Sequence, residues 1–231
     1  MKTLSKTDTE AYVKRTLDVL INDVTLATRA FHAWETIQII KSQNKRVIAK
    51  LRRNPYFWTI VPYALQCTYI IYLARLFDNS TKYNLRKLIE TCQAEPGIFT
   101  REALAGRQRQ SGMTPAQASE YAAKAHIPTA GELQRMMRRF ETIEARAQKY
   151  KKIRHEVFAH PVRTSQDEIS PLLKDTKGTE IEALLAYSWR TVLSINDLFV
   201  NGHKPCLRAY SLLEKKSTSE DTAKLMREYA I

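Results

Sequence analysis

Residues 154–161 read RHEVFAHP, which places Arg154, His155 and His160 within seven residues and closes the run with Pro161. A neutral histidine can take a proton from a hydroxyl and later return one to a leaving group. Its ordinary pKa of about 6.5 suits both steps near neutral pH. An arginine keeps its charge and can hold a phosphate through two parallel hydrogen bonds. Those two groups suffice to cleave RNA without a metal. The substrate's own 2′-hydroxyl is the nucleophile, so the protein need only position, deprotonate and neutralise. DNA lacks that hydroxyl. A second reading stays open, because Arg and His near a helix C-terminus complement the helix dipole and need no other role.

The element that carries the run is a long amphipathic helix. Its apolar positions are Leu133, Met136, Phe140, Ile143, Ala147, Tyr150, Ile153 and Val157. These steps of three and four put one continuous face against a core. Thr129 is its expected cap, and Pro161 ends it at about His160. At about 100° per residue, Arg154 and His160 each project roughly 60° to one side of Val157, on opposite flanks. A second copy packed there by two-fold symmetry would bring the flanks together.

The rest of the chain reads as helix too. Val13, Leu17, Leu20, Val24, Ala27, Phe31, Trp34 and Ile37 mark a first helix capped by Asp8 or Thr9 and reaching residues 42–44. A short helix is expected over Val47–Arg53, and another from Asn84 through Cys92. Residues 55–74, PYFWTIVPYALQCTYIIYLA, hold no charge and are about long enough to span a bilayer. Pro62, Gln66 and the basic residues at both ends favour a core helix buried on all sides. Residues 94–128, with Arg101, Arg107 and Arg109 among small polar residues, read as an excursion of one or two short helices. It is either a lid, a nucleic-acid contact or a solvated connector. Thr179 caps a further helix that Asn201-Gly202 stops, and residues 205–231 form a tail of two short helices. No strand pattern, repeat or Gly-rich phosphate loop appears. The expected architecture is an all-α bundle of four or five main helices in a single domain over 1–231.

Composition narrows the partners. A net charge of +13 concentrates polyanions around the chain, with RNA foremost. The same charge is also compatible with solvated lysines alone. Cys67, Cys92 and Cys206 are far apart, fitting a reducing, cytoplasmic setting, and Met1–Glu10 lacks the apolar run of a signal peptide. His32, His126 and His203 are isolated and Asp78 with Glu35 makes a poor carboxylate pair, so no metal and no cofactor is expected. Trp34, Trp58 and Trp189 fall in apolar stretches and read as core.

RHEVFAH resembles the R-x4–6-H signature of the HEPN superfamily, all-α domains found in many prokaryotic toxins and defence ribonucleases. YLARLFDNS, KKIRHEVFAHP and GTEIEALLAYSWRTVLSINDLF resemble segments of its AbiU-type abortive-infection branch. The resemblance implies a dimeric, metal-independent endoribonuclease acting as a toxin or phage-defence effector. It implies Arg154 as the phosphate clamp, His160 as general base or acid, His155 as their support and Asp78 as an orienting polar partner. Lys151 and Lys152, with Arg101, Arg107 and Arg109, would hold RNA. Expected partners are RNA, a second copy and an antitoxin or other defence component, with no membrane. Val162 stands where related toxins silenced by nucleotidyltransferases carry a tyrosine, which weakens that mode of control here. A non-catalytic RNA- or nucleotide-binding HEPN module and a structural helical interaction protein are the alternatives.

Overall fold

Helix α1 (Lys6–Gln43) begins earlier than Asp8 or Thr9. Ser5 is the reason: its Oγ accepts from the Asp8 N–H at 3.2 Å and donates to the Asp8 carboxylate at 2.7 Å, so the first turn is capped from residue 5. The computed structural model describes residues 5–159, 176–204 and 212–230. After α1 come α2 (Lys45–Leu51), α3 (Pro55–Phe77) and α4 (Leu85–Ala94). A 3-10 turn (Pro96–Phe99), α5 (Arg101–Gln110), α6 (Pro115–Ala123) and α7 (Ala130–Ile153) follow. A π-helical segment (Arg154–Ala159), α8 (Gly178–Asn196), a second π segment (Asp197–Asn201) and α9 (Leu212–Ala230) complete the described chain.

The class is all-α, with no strand among the described residues. The nine α-helices among the described residues exceed the four or five main ones expected. The surplus is short: α2, α4, α5 and α6 have 7–10 residues, whereas the other five have 19–38. The tail also differs from the two short helices expected. Its described part is one helix, uninterrupted by Pro or Gly, and Met226 is buried with Ile37, Val47 and Leu51.

The chain divides into two compact units. The first comprises Met1–Ile21, Leu76–Arg146 and Tyr187–Tyr210; the second comprises Asn22–Arg75, Ala147–Ala186 and Ser211–Ile231.

In the first unit, Phe77 stacks on Phe140 of α7 with centroids 5.9 Å apart, and the Arg86 guanidinium lies 5.2 Å above the Phe140 ring. Asn84 caps α4 by accepting from the Lys87 N–H at 2.9 Å, as its position predicts. Residues 94–128 are packed in part: Ile98, Phe99, Leu104, Ala118 and Ala122 are buried, while residues 109–112 and 114–117 are exposed. Arg107 pairs with Glu10 at 3.2 Å and covers Phe199 at 4.2 Å, and the Gln108 side chain donates to the Val200 carbonyl at 2.8 Å. Gly202 stops the second π segment in the left-handed region, at φ 62°. A Cβ there would lie 2.6 Å from Leu104 and 2.7 Å from Ala125, so this position requires glycine twice over.

In the second unit, Phe31 and Trp34 of α1 meet Tyr69 of α3 edge-on, at 5.4 and 5.8 Å. Only the C-terminal half of α3 is buried there. Tyr69, Ile70, Leu73 and Ala74 are covered, whereas Tyr56 is 87% and Ile60 63% exposed, with Phe57 and Tyr63 also outward. This corrects the expectation of a helix buried on all sides. Over its first ten residues only Trp58 and Val61 pack inward, against the Ile37, Val47, Leu51 and Met226 cluster, and the opposite face is left uncovered. Among the described residues α3 is the helix long and apolar enough to cross a membrane, and 33% of its most apolar window is buried in protein.

Two stability outcomes follow. Gly202→Ala should lose about 2–4 kcal/mol, combining left-handed strain with overpacking. Along α3, Leu73→Ala should cost about 2–5 kcal/mol while Ile60→Ala stays within about 0.5 kcal/mol. Urea unfolding of the three variants reads both; equal losses at Leu73 and Ile60 would contradict the half-buried α3.

Candidate functional site around Arg154

The helix expected to run to His160 changes form at the motif. α7 is α-helical through Ile153, and Arg154 opens the π segment. Pro161 has no N–H to offer the carbonyl four residues back, so the α-helical ladder loses a donor just past this segment. A π turn closes its hydrogen bonds over five residues instead of four, which changes the angular spacing assumed for a plain α-helix.

The approach to the motif is tightly held. Thr129 and Glu132 form the reciprocal cap at the start of α7: the Thr129 N–H donates to Glu132 at 2.8 Å and the Glu132 N–H to the Thr129 hydroxyl at 3.2 Å. At the other end, Tyr150 is fully buried and donates to the Glu180 carboxylate of α8 at 3.2 Å. Lys149 pairs with the same carboxylate, and Lys215 of α9 pairs with Glu182 two residues along. Ile153 is buried immediately before Arg154. The backbone therefore enters the motif from an anchored turn.

Within it, Arg154 is half-buried and His155 is exposed, side by side at the head of the π segment. Lys151 is half-buried and Lys152 exposed in the turn before, with Lys152 3.9 Å from Glu156. His160 lies outside the described residues. The pair whose chemistry the sequence suggests is thus described on its arginine side.

The remaining candidates lie in the first unit. Asp78 is buried, and its Oδ1 accepts from the Ser80 N–H at 2.9 Å and the Ser80 hydroxyl at 2.7 Å, the bonds of a turn that ends α3. Arg107 is covered and ion-paired as described above, while Arg101 and Arg109 face solvent. One buried acid, Glu144, was not among the residues expected at the site. Glu144 lies four residues after Phe140 and three before Ala147, on the apolar face of α7, and that register was its signal.

Burial pushes the Cys92 thiol up to about 12, so it carries no thiolate at neutral pH. Among the described residues, no three His, Cys, Asp or Glu side chains gather as metal ligands. His126 lies 3.4 Å from Glu132, and His203 is exposed.

His32 is buried with its Nδ1 3.2 Å from Glu35. Burial holds this imidazole below its usual range, against the opposing pull of Glu35. The unfolded chain therefore takes up the proton first, and the fold loses stability as pH falls below about 6.5. His32→Gln removes that titration. Its urea midpoint should fall less than the parent's between about pH 7.5 and about pH 5.5; parallel losses would contradict the assignment.

Neither curated proteins nor solved structures gave a match. The family model of AbiU2, a HEPN family, matches residues 11–220, a span that contains the whole of RHEVFAHP. The chain belongs to the AbiU2 family of HEPN proteins.

Proposed function

We propose that this protein is a metal-independent HEPN endoribonuclease of an abortive-infection system, cleaving RNA by attack of the substrate's 2′-hydroxyl. The observation that carries the reading is the family match over residues 11–220, within which Arg154 and His160 stand at the R-x4–6-H spacing of the superfamily signature. Arg154 opens a π-helical segment, a rare form that recurs at functional sites, and that supports the same reading. In this account His160 takes the proton from the 2′-hydroxyl or delivers one to the leaving 5′-oxygen. Arg154 offsets the charge that builds on the phosphate, and His155 positions the strand or makes the second proton transfer. Lys151 and Lys152 in the preceding turn attract the backbone, as the chain's net charge of +13 does at longer range. The complete site is built in a homodimer, where two copies of the segment face each other across a two-fold axis near Val157.

The test is an RNA oligonucleotide with one 2′-deoxy substitution at the cleaved position, incubated with excess EDTA. Cleavage of the all-ribose control should persist in EDTA and stop at the substituted position. His160→Ala and Arg154→Ala should each lower the rate by about 10²-fold or more. Activity should also fall well below about pH 6, where His160 is protonated. Equal cutting at the 2′-deoxy position would remove the proposed nucleophile. RNA binding without cleavage, unchanged by either variant, would favour the non-catalytic module.

A further inference from the structure

A cavity of about 520 Å³ opens between the N-terminal half of α7 and the C-terminal half of α8. Every residue that lines it belongs to the first unit, and none belongs to the Arg154 motif. The helical registers build it: Glu132, Arg135, Arg139 and Thr142 form one stripe of α7, and Tyr187, Arg190 and Ser194 one stripe of α8, with Leu198 following in the second π segment. Leu133, Pro128 and Leu198 give a buried apolar floor, with the buried hydroxyls of Thr191 and Ser194 set in it.

The rim is cationic. Arg135, Arg139, Arg190 and Lys204 are all exposed at its edge, and none of them is ion-paired among the described residues. The lining holds one carboxylate, Glu132, which is engaged by the Thr129 N–H at 2.8 Å and lies 3.4 Å from the His126 ring. Four cations facing one committed carboxylate repel each other, and an anion between them relieves that repulsion. Three guanidinium forks match a phosphate better than a single carboxylate, because a phosphate offers oxygens to several forks at once. The apolar floor lies beyond the reach of a bare phosphate and accepts a ring or similar body. Burial pushes the Tyr187 hydroxyl up to about 12, so it stays a neutral donor beside the rim.

We propose that this cavity is a binding site for an organic phosphate with an apolar, ring-bearing body, its phosphate on the arginine rim and its body on the Leu133–Leu198 floor. This does not rest on the ribonuclease reading. The same chemistry is presented by a free small phosphate ester and by the phosphorylated end of a nucleic-acid strand.

The probe is 1-naphthyl phosphate, titrated by fluorescence into the full chain at fixed ionic strength, beside inorganic phosphate and 1-naphthol. The ester should saturate one site per chain and bind at least about ten-fold tighter than either fragment. The double variant Arg139→Ala/Arg190→Ala should weaken it by about ten-fold or more, while Arg154→Ala leaves it unchanged. Both rim arginines are exposed, so the thermal midpoint should hold; Arg135→Ala/Lys204→Ala provides an independent pair. Displacement by a 5′-phosphorylated RNA trinucleotide assigns the source to a strand end, and displacement by AMP alone assigns it to a free ester. Binding no tighter than inorganic phosphate, or binding that survives both double variants, would overturn the site.

Discussion

Glu144 is a carboxylate on the buried face of α7, with 7% of its surface exposed. A charge in that position is tolerable only if it is met by charge and by hydrogen bonds. Arg86 of α4 meets it at 2.5 Å, and the Asn79 amide donates to its other oxygen at 2.9 Å. The same guanidinium covers Phe140, which stacks on Phe77 at the end of α3. One buried charge therefore ties together the end of α3, the start of α4 and the middle of α7. A hydrophobic residue at 144 would fill the space but would leave Arg86 only Glu90, 3.6 Å away on its own helix.

α7 is also the helix that runs to Arg154. Its first turn is closed by Thr129 and Glu132, its middle is pinned at Glu144, and its last turn is held through Tyr150 and Lys149 on Glu180. Arg154 follows directly on the last of these, the turn held by Tyr150 and Lys149. His155 beside it is exposed.

Much of this was legible in the residues. The alternating steps of three and four along α1, α7 and α8 reported amphipathic helices, because burial on one face leaves that mark on sequence. Asn84 and Thr129 announced their caps, and Asn201-Gly202 its stop. Three features were not legible, each for a physical reason. Apolar content alone cannot separate a buried helix from one that projects, so the exposure of Tyr56, Phe57 and Ile60 was hidden in a uniform run. A π segment uses the same residues as the α-helix it interrupts, and only the hydrogen-bond ladder distinguishes them. Arg107 looked like a nucleic-acid contact among polar neighbours, but its partner Glu10 and its ring Phe199 lie about ninety residues away on either side of it. Tertiary partners at that separation leave no local pattern.

We propose that the substrate supplies its own nucleophile while Arg154 and His160 manage protons and charge. Chemical analysis of the RNA ends tests it most directly. RNA cut by the purified protein should carry a 2′,3′-cyclic phosphate on one fragment and a 5′-hydroxyl on the other, and a folded His160→Ala protein should yield neither above background. Fragments ending in a 3′-hydroxyl and a 5′-phosphate, or the same ends produced at the parent's rate by His160→Ala, would contradict it.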